Sequence, residues 1–202
     1  MEFRVLKPED AKQFCDLIVD MYGHLESLEW FSPMPTDFEN VKGIIENPRF
    51  YVLGAFDGDF LCGVTSMDYK CGKLIGKIDF GKEIDFTKLV EFGFTMVHSR
   101  YRGNGIMKKM LAVLIDAAKE KGFEWAFGKV HKQNFASSTS MSRMGFEKTA
   151  DYDKPVKISD INDILSKNIL FKRAEYDIKK KLEKNENAEF LYVDYQIMMK
   201  KL

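Results

Sequence analysis

The chain has 202 residues, with 31 Lys and Arg against 31 Asp and Glu; 45 % of its residues are hydrophobic, among them 17 Phe, 8 Tyr and 2 Trp. A net charge of zero argues against a nucleic-acid-binding surface, which shows a basic excess. The aromatic content argues against a disordered chain, and the length suits one domain with its own core. Phe3–Leu6 alternates as a strand, and Lys7-Pro8-Glu9-Asp10 opens a helix, with Pro in its first turn and acids at the positive end of the dipole. Ala11, Phe14, Cys15, Leu17, Ile18, Met21 and Tyr22 follow at helical spacing until Gly23. After the breaker Ser32-Pro33-Met34-Pro35, Thr36 and Asp37 cap a second helix that runs to Asn47.

Phe50–Phe56 and Leu61–Tyr69 read as a hairpin turning at Asp57-Gly58-Asp59. Residues 70–87 read as an extended excursion, and Leu89–Val97 as one apolar strand. HSRYRGNG follows, then an amphipathic helix with apolar positions from Ile106 to Ala118 and a stop at Gly122. A strand Trp125–Val130, a short helix near 135–143 and a strand Phe146–Tyr152 complete the next unit. Residues 154–186 form one or two surface helices, and Phe190–Met198 a last strand. No repeat or linker divides the chain, so residues 1–202 are expected to form a single α/β (α+β) domain.

Three cysteines, Cys15, Cys62 and Cys71, without a CxxC pair predict free thiols rather than disulfides or a zinc site, and no metal is expected. The start of the chain carries charge from residue 2 and no signal-like apolar stretch, and no run has the roughly 18 apolar residues that span a bilayer. The expectation is a cytoplasmic protein without nucleic-acid or membrane partners.

The segment from Ser99 to Met110 carries the first chemical signal. Gly103 and Gly105 stand where a strand becomes a helix, where glycine permits unusual torsions and close approach of N–H groups to an anion. The helix N-terminus adds free N–H donors and a partial positive charge, and Arg102, Lys108 and Lys109 lie beside it. The other reading is an ordinary glycine-rich turn. A Rossmann fingerprint would need a third glycine, and a P-loop would need Gly-Lys-Ser/Thr where Gly105-Ile106-Met107 stands.

Downstream come Asn134, Ser137, Met141 and Gly145-Phe146. The ordered set of strand, Arg102-Gly103-Asn104-Gly105-Ile106, helix, strand, Asn134 and Gly145-Phe146 resembles the GNAT superfamily of acyl-CoA-dependent N-acetyltransferases. That resemblance implies a mixed, mostly antiparallel central sheet flanked by helices, with 154–186 as a helical insertion before the last strand. It also implies acetyl-CoA as co-substrate and direct transfer to a primary amine of a small molecule or peptide. Arg102, Gly103, Asn104, Gly105, Ile106, Met107 and Lys108 would hold the pyrophosphate. Met96 and Val97 would pair with pantetheine and supply the oxyanion donor, with Asn134 and Ser137 along the cofactor arm.

Two positions depart from the family pattern. Met107 replaces a small residue of the pyrophosphate motif, and Met141, which cannot donate a proton, stands where a Tyr usually protonates the departing thiolate. Ser138, Ser140, Tyr152 or water would have to substitute. Holding an alkylammonium of pKa near 10.4 neutral at pH 7 costs about 4.6 kcal/mol, so a base or a desolvated site is needed. Glu91, placed like the catalytic Glu of some histone-acetylating members, is the first candidate, and His131 is the second; each also reads as an ordinary polar strand residue. His98 reads as a loop residue. Asp79, Glu83 and Asp85 would attract a cationic acceptor or form a solvated loop. The 154–186 insertion would wall the acceptor entry, decorate the surface or make a homodimer contact. The competing functional reading is a non-catalytic acyl-CoA-binding or sensing module.

Overall fold

The structure is a computed structural model that describes residues 1–30, 32–71, 78, 80, 83–167, 174–185 and 187–202; residues 72–77, 81 and 82 of the 70–87 excursion and Asp79 lie outside the described residues. Strand β1 (Glu2–Val5) leads through a 3-10 turn at Pro8–Asp10 into helix α1 (Ala11–Gly23). The entry is fixed by Asp10, whose carboxylate accepts the Lys7 N–H at 2.8 Å and both guanidinium ends of Arg4 at 2.7 and 2.8 Å. Helix α2 (Phe38–Glu46) is capped by Asp37, which accepts the Asn40 N–H at 3.0 Å. The predicted hairpin is β2 (Phe50–Asp57) and β3 (Phe60–Asp68).

The single strand expected over Leu89–Val97 is two: β4 (Leu89–Phe92) and β5 (Met96–Val97). Phe92 lies opposite Met67 and Met96 opposite Val64, so Gly93-Phe94-Thr95 faces only Thr65 and Ser66 and one residue bulges. The Gly93 N–H still reaches the Ser66 carbonyl at 2.8 Å, and the Thr95 hydroxyl meets that of Thr65 at 2.7 Å. A Cβ at Gly93 would stand 2.7 Å from Ser66 Oγ, so glycine permits the close pass. Apolar residues continue through the bulge, which is why periodicity does not reveal it.

Helix α3 (Ile106–Glu120), β6 (Trp125–His131), α4 (Phe135–Ser142), β7 (Glu147–Lys157), α5 (Ile158–Ser166), α6 (Ala174–Glu183) and β8 (Phe190–Lys201) follow. His131 therefore belongs to β6 rather than following it, and β7 continues into the expected insertion, whose helices begin at Ile158. The strand order is β1-β2-β3-β4-β6-β8-β7, with β5 on β3. Among the described residues, only β4 and β6 pair in parallel.

Helices α3 and α4 cover one face, packing Met110, Leu111, Leu114 and Met141 on Leu53, Met67 and Val90. Helices α1 and α2 cover the other face over β2 and β3, and α5 and α6 cover it over β7 and β8. Cys15, Cys62 and Cys71 are free and buried. Among the described residues, no helix is long and apolar enough to cross a membrane.

Candidate functional site

The bulge makes the site. Strand β4 pairs with β6 from Leu89↔Trp125 as far as Glu91↔Phe127; beyond that pair β5 follows β3, while Gly128–His131 of β6 pairs with β8. The sheet opens between β5 and β6 into a cleft of about 850 Å³. Met96, Val97, Arg102, Gly103, Gly105, Ile106, Met107, Lys108, Asn134, Ser137, Glu91 and His131 all line it. Asn104 does not: its amide donates to the Tyr101 and Arg102 carbonyls at 3.2 and 3.4 Å and shapes the loop from behind.

At one end the cleft meets the start of α3. Gly103 and Gly105 have φ of +82° and +70°, and a Cβ on either would touch nothing within 4 Å, so torsion rather than crowding calls for glycine. Gly105 is the N-cap and offers no side chain to the first-turn N–H groups, which are left to solvent or a ligand. The loop is held from α1. Asp20 accepts the Ser99 N–H at 2.7 Å and its hydroxyl at 2.8 Å, and His24 and His98 stand 3.4 and 3.7 Å from the same carboxylate. Arg102 turns back, donating to the Val97 carbonyl at 3.1 Å and to the His24 carbonyl at 3.3 Å. Lys108 and Arg143 add exposed cations to the rim.

Along the α4 wall, Asn134 is the N-cap, its side-chain oxygen accepting the Ser137 N–H at 3.1 Å. Met141 is buried and fills the space left by Gly128, where a Cβ would stand 2.8 Å from its methyl. Of the hydroxyls that could replace the missing Tyr, Ser140 lines the cleft and donates to the Ala136 carbonyl at 2.8 Å. Ser138 donates to the Phe135 carbonyl at 3.2 Å, and Tyr152 packs in the core on the opposite side of the sheet from α4.

The other end lies on the face covered by α1, α2, α5 and α6. Lys129 Nζ is 2.8 Å from Glu91 Oε1. His131 is 3 % exposed; its Nδ1 accepts the Gln133 N–H at 3.2 Å, so the neutral ring carries its proton on Nε2, 3.8 Å from Glu29. Glu29 also receives Lys181 of α6 at 2.5 Å, while its carbonyl accepts the Tyr195 hydroxyl at 2.7 Å. Burial raises Glu29, but the nearby His131 ring and the Lys181 ammonium outweigh it and hold the carboxyl below its ordinary range. Lys154 lies 5.2 Å over the Tyr195 ring, donates to the Ser32 hydroxyl, and is pushed down to about 8 by burial, with Lys129 adding to the effect. Trp30, Lys129, Arg143 and Lys154 were not marked by any sequence pattern: isolated charged or aromatic residues on loops and strands reveal themselves only through long-range contacts.

A family model described as "Acetyltransferase (GNAT) domain" matches residues 1–147. No match was found among curated proteins. Among solved structures, a ribosomal-protein-alanine N-acetyltransferase from Brucella melitensis is 20 % identical with a TM-score of 0.69, each chain covered over 100 %. A putative acetyltransferase from Salmonella typhimurium, determined with its cofactor acetyl-CoA, is 19 % identical with a TM-score of 0.64, covering 100 % of this chain and 94 % of that one. A GNAT-family acetyltransferase from Streptococcus pneumoniae is 14 % identical with a TM-score of 0.65, covering 100 % and 99 %. These three likenesses show the fold, and the family model shows the membership: the chain belongs to the GNAT acetyltransferase family.

Proposed function

We propose that this protein transfers an acetyl group directly from acetyl-CoA to a primary amine of a small molecule or peptide. The observation that carries the reading is the split between β5 and β6, which opens onto an uncapped, glycine-flanked helix N-terminus. The residues present fit coenzyme A. The first-turn N–H groups of Ile106, Met107 and Lys108, with Lys108 and Arg143 at the rim, suit a pyrophosphate. Met96 and Val97 pair with β3 on one side only, leaving a strand edge along the cleft for an amide-containing arm. Bound acetyl-CoA supplies an activated thioester, so that a new N–C bond replaces the C–S bond and the sulfur leaves as thiol.

The residues around that bond have distinct tasks in this reading. A backbone N–H beside Met96 faces the developing oxyanion: the His98 N–H bonds the Cys62 carbonyl, so by alternation the Met96 N–H turns to β3 and that of Val97 to the cleft. Glu91, on the cleft floor, takes the proton from the acceptor amine; His131 is less suited, since both its ring nitrogens face partners. Asn134 and Ser137 set the α4 wall.

A second reading, an acyl-CoA-binding module without turnover, is favoured by Met141, a buried thioether where the family places a proton donor. A thiol-release assay with acetyl-CoA and a panel of amines, amino acids and peptides, paired with calorimetry, separates the two. Thiol release on any amine supports transfer. Acetyl-CoA binding without release supports the second reading, and absence of binding removes both.

A further inference from the structure

At the acceptor end of the cleft one cation among the described residues stands without an ion pair. On the sheet face beneath it, Arg49 pairs with Asp68 through two hydrogen bonds and Lys129 pairs with Glu91 at 2.8 Å. Lys154 is the remaining charge of this group, and among the described residues no carboxylate lies within ion-pair distance of it. Its partners are neutral: the Ser32 hydroxyl and the face of the Tyr195 ring at 5.2 Å. The same wall continues through His131, whose ring centre is 5.6 Å from that of Tyr195, to Trp30 at 6.4 Å from His131. The indole N–H of Trp30 is buried and has no hydrogen-bond partner, and Trp30 lines the cleft with Lys154. A half-buried ammonium without an ion-pair partner and a buried donor without an acceptor are both unfavourable, and an anion entering the cleft offers a partner to each.

Building on the acetyltransferase reading, we propose that the acceptor amine carries a carboxylate, received by the Lys154 ammonium and the Trp30 N–H. One cation and one neutral donor match a single negative charge better than the double charge of a phosphate monoester. The uncompensated ammonium has a second effect: it disfavours a second cation beside it and so favours the neutral, nucleophilic form of the acceptor amine.

The test is steady-state kinetics of the full chain with acetyl-CoA on matched acceptors: β-alanine and 4-aminobutyrate, their amides, propylamine and O-phosphoethanolamine, compared per free amine. The expected result is a kcat/KM at least tenfold higher for the carboxylated amines than for their amides. Lys154→Met should shrink that ratio below threefold, mainly through acceptor KM, while Lys154→Arg keeps most of it. A cooperative melt and acetyl-CoA affinity by calorimetry identify folded variants. Equal use of acids and amides by the wild type, preference for the phosphorylated amine, or an equal loss on all acceptors in Lys154→Met would overturn the carboxylate proposal while leaving acetyl transfer intact. Acetyl-CoA binding with no turnover on any amine would overturn the transfer reading itself, and the carboxylate proposal with it.

Discussion

Lys129 and Glu91 meet where the sheet divides. Glu91 is the last residue of β4 paired with β6, opposite Phe127, and Lys129 is the next residue of β6 on the same face, its Nζ 2.8 Å from the carboxylate. The pair therefore stands at the root of the cleft, on rigid strands. If Glu91 takes the amine proton, Glu91→Gln should lower kcat by about 10²-fold or more. Its effect on acetyl-CoA KM should stay within about threefold, because the N–H cradle at α3 is untouched. Rates at pH 7 check this, and a normal rate in Glu91→Gln would assign proton removal to another group.

Gly105 tests the phosphate end. Its φ of +70° lies in the left-handed region, and a side chain there meets no neighbour. Gly105→Val should cost about 1–2 kcal/mol of stability from torsion alone, lowering Tm by roughly 2–8 °C in a chain of this size. It should also weaken acetyl-CoA binding by at least about tenfold, by misdirecting the first-turn N–H groups. Calorimetry on the folded variant measures the second effect, and unchanged affinity would move the pyrophosphate site elsewhere.

Asp20 holds that same end in place. It is the α1 residue that accepts both the backbone and the side-chain donor of Ser99. Asp20→Ala leaves both donors unpaired, at about 1–3 kcal/mol, and frees the turn that carries Arg102. Acetyl-CoA affinity should fall while acceptor KM stays near the wild-type value. A loss confined to Tm would show that Asp20 braces the fold and not the loop.

Much of this site was legible in the sequence, and the reason is local. Gly103, Gly105, Asn134 and Gly145 stand where short-range backbone rules demand them, and Asn134 caps α4 with its own side chain. The β4–β5 bulge was hidden because Phe92, Phe94 and Met96 continue the apolar alternation through it. His131 reads as a strand-end residue and is the last residue of β6, still paired there with Tyr195 of β8. The acceptor wall was invisible for a different reason: Lys154 reaches Ser32 across 122 positions, and Lys181 reaches Glu29 across 152. Contacts at that separation depend on tertiary packing, which no periodicity encodes.

The Glu29–Lys181 contact ties α6 to the turn after α1 and gives stability a definite pH dependence. The Glu29 carboxyl is held below its ordinary value of 4.5 in the folded protein. Its contribution is therefore present above that pH and is lost as pH falls below 4.5 through the folded value. Glu29→Gln should flatten this acid limb and cost about 1–3 kcal/mol near neutrality, because the carboxylate charge that Lys181 and His131 both face is lost. Lys181→Met should cost under about 1 kcal/mol, since Lys181 is 51 % exposed. Thermal melts from pH 3 to 7 compare the two. Equal losses would mean that the salt bridge, and not the buried His131 contact, carries the stabilisation.

Lys154 adds a slope of the same sign on the alkaline side. Its folded value of about 8 lies below the ordinary 10.5, so between these limits the unfolded chain binds more protons than the folded one. Stability contributed by this group therefore rises with pH across that window. Lys154→Met removes the charged form, so the variant should melt higher than the wild type at pH 7, and the difference should close towards pH 10. The buried thiols act in the other direction above their ordinary 9.0, with Cys71 raised to about 12 by burial, and the phenols above 10.0. The Lys154 effect is therefore read from the difference between wild type and Lys154→Met, in which these groups cancel. A carboxylated amine at saturating concentration should raise the wild-type Tm at pH 7 more than at pH 10, since it supplies the counter-ion that Lys154 lacks. Its amide should not show that pH dependence, and equal Tm shifts by acid and amide would mean that Lys154 is held charged by something other than the acceptor.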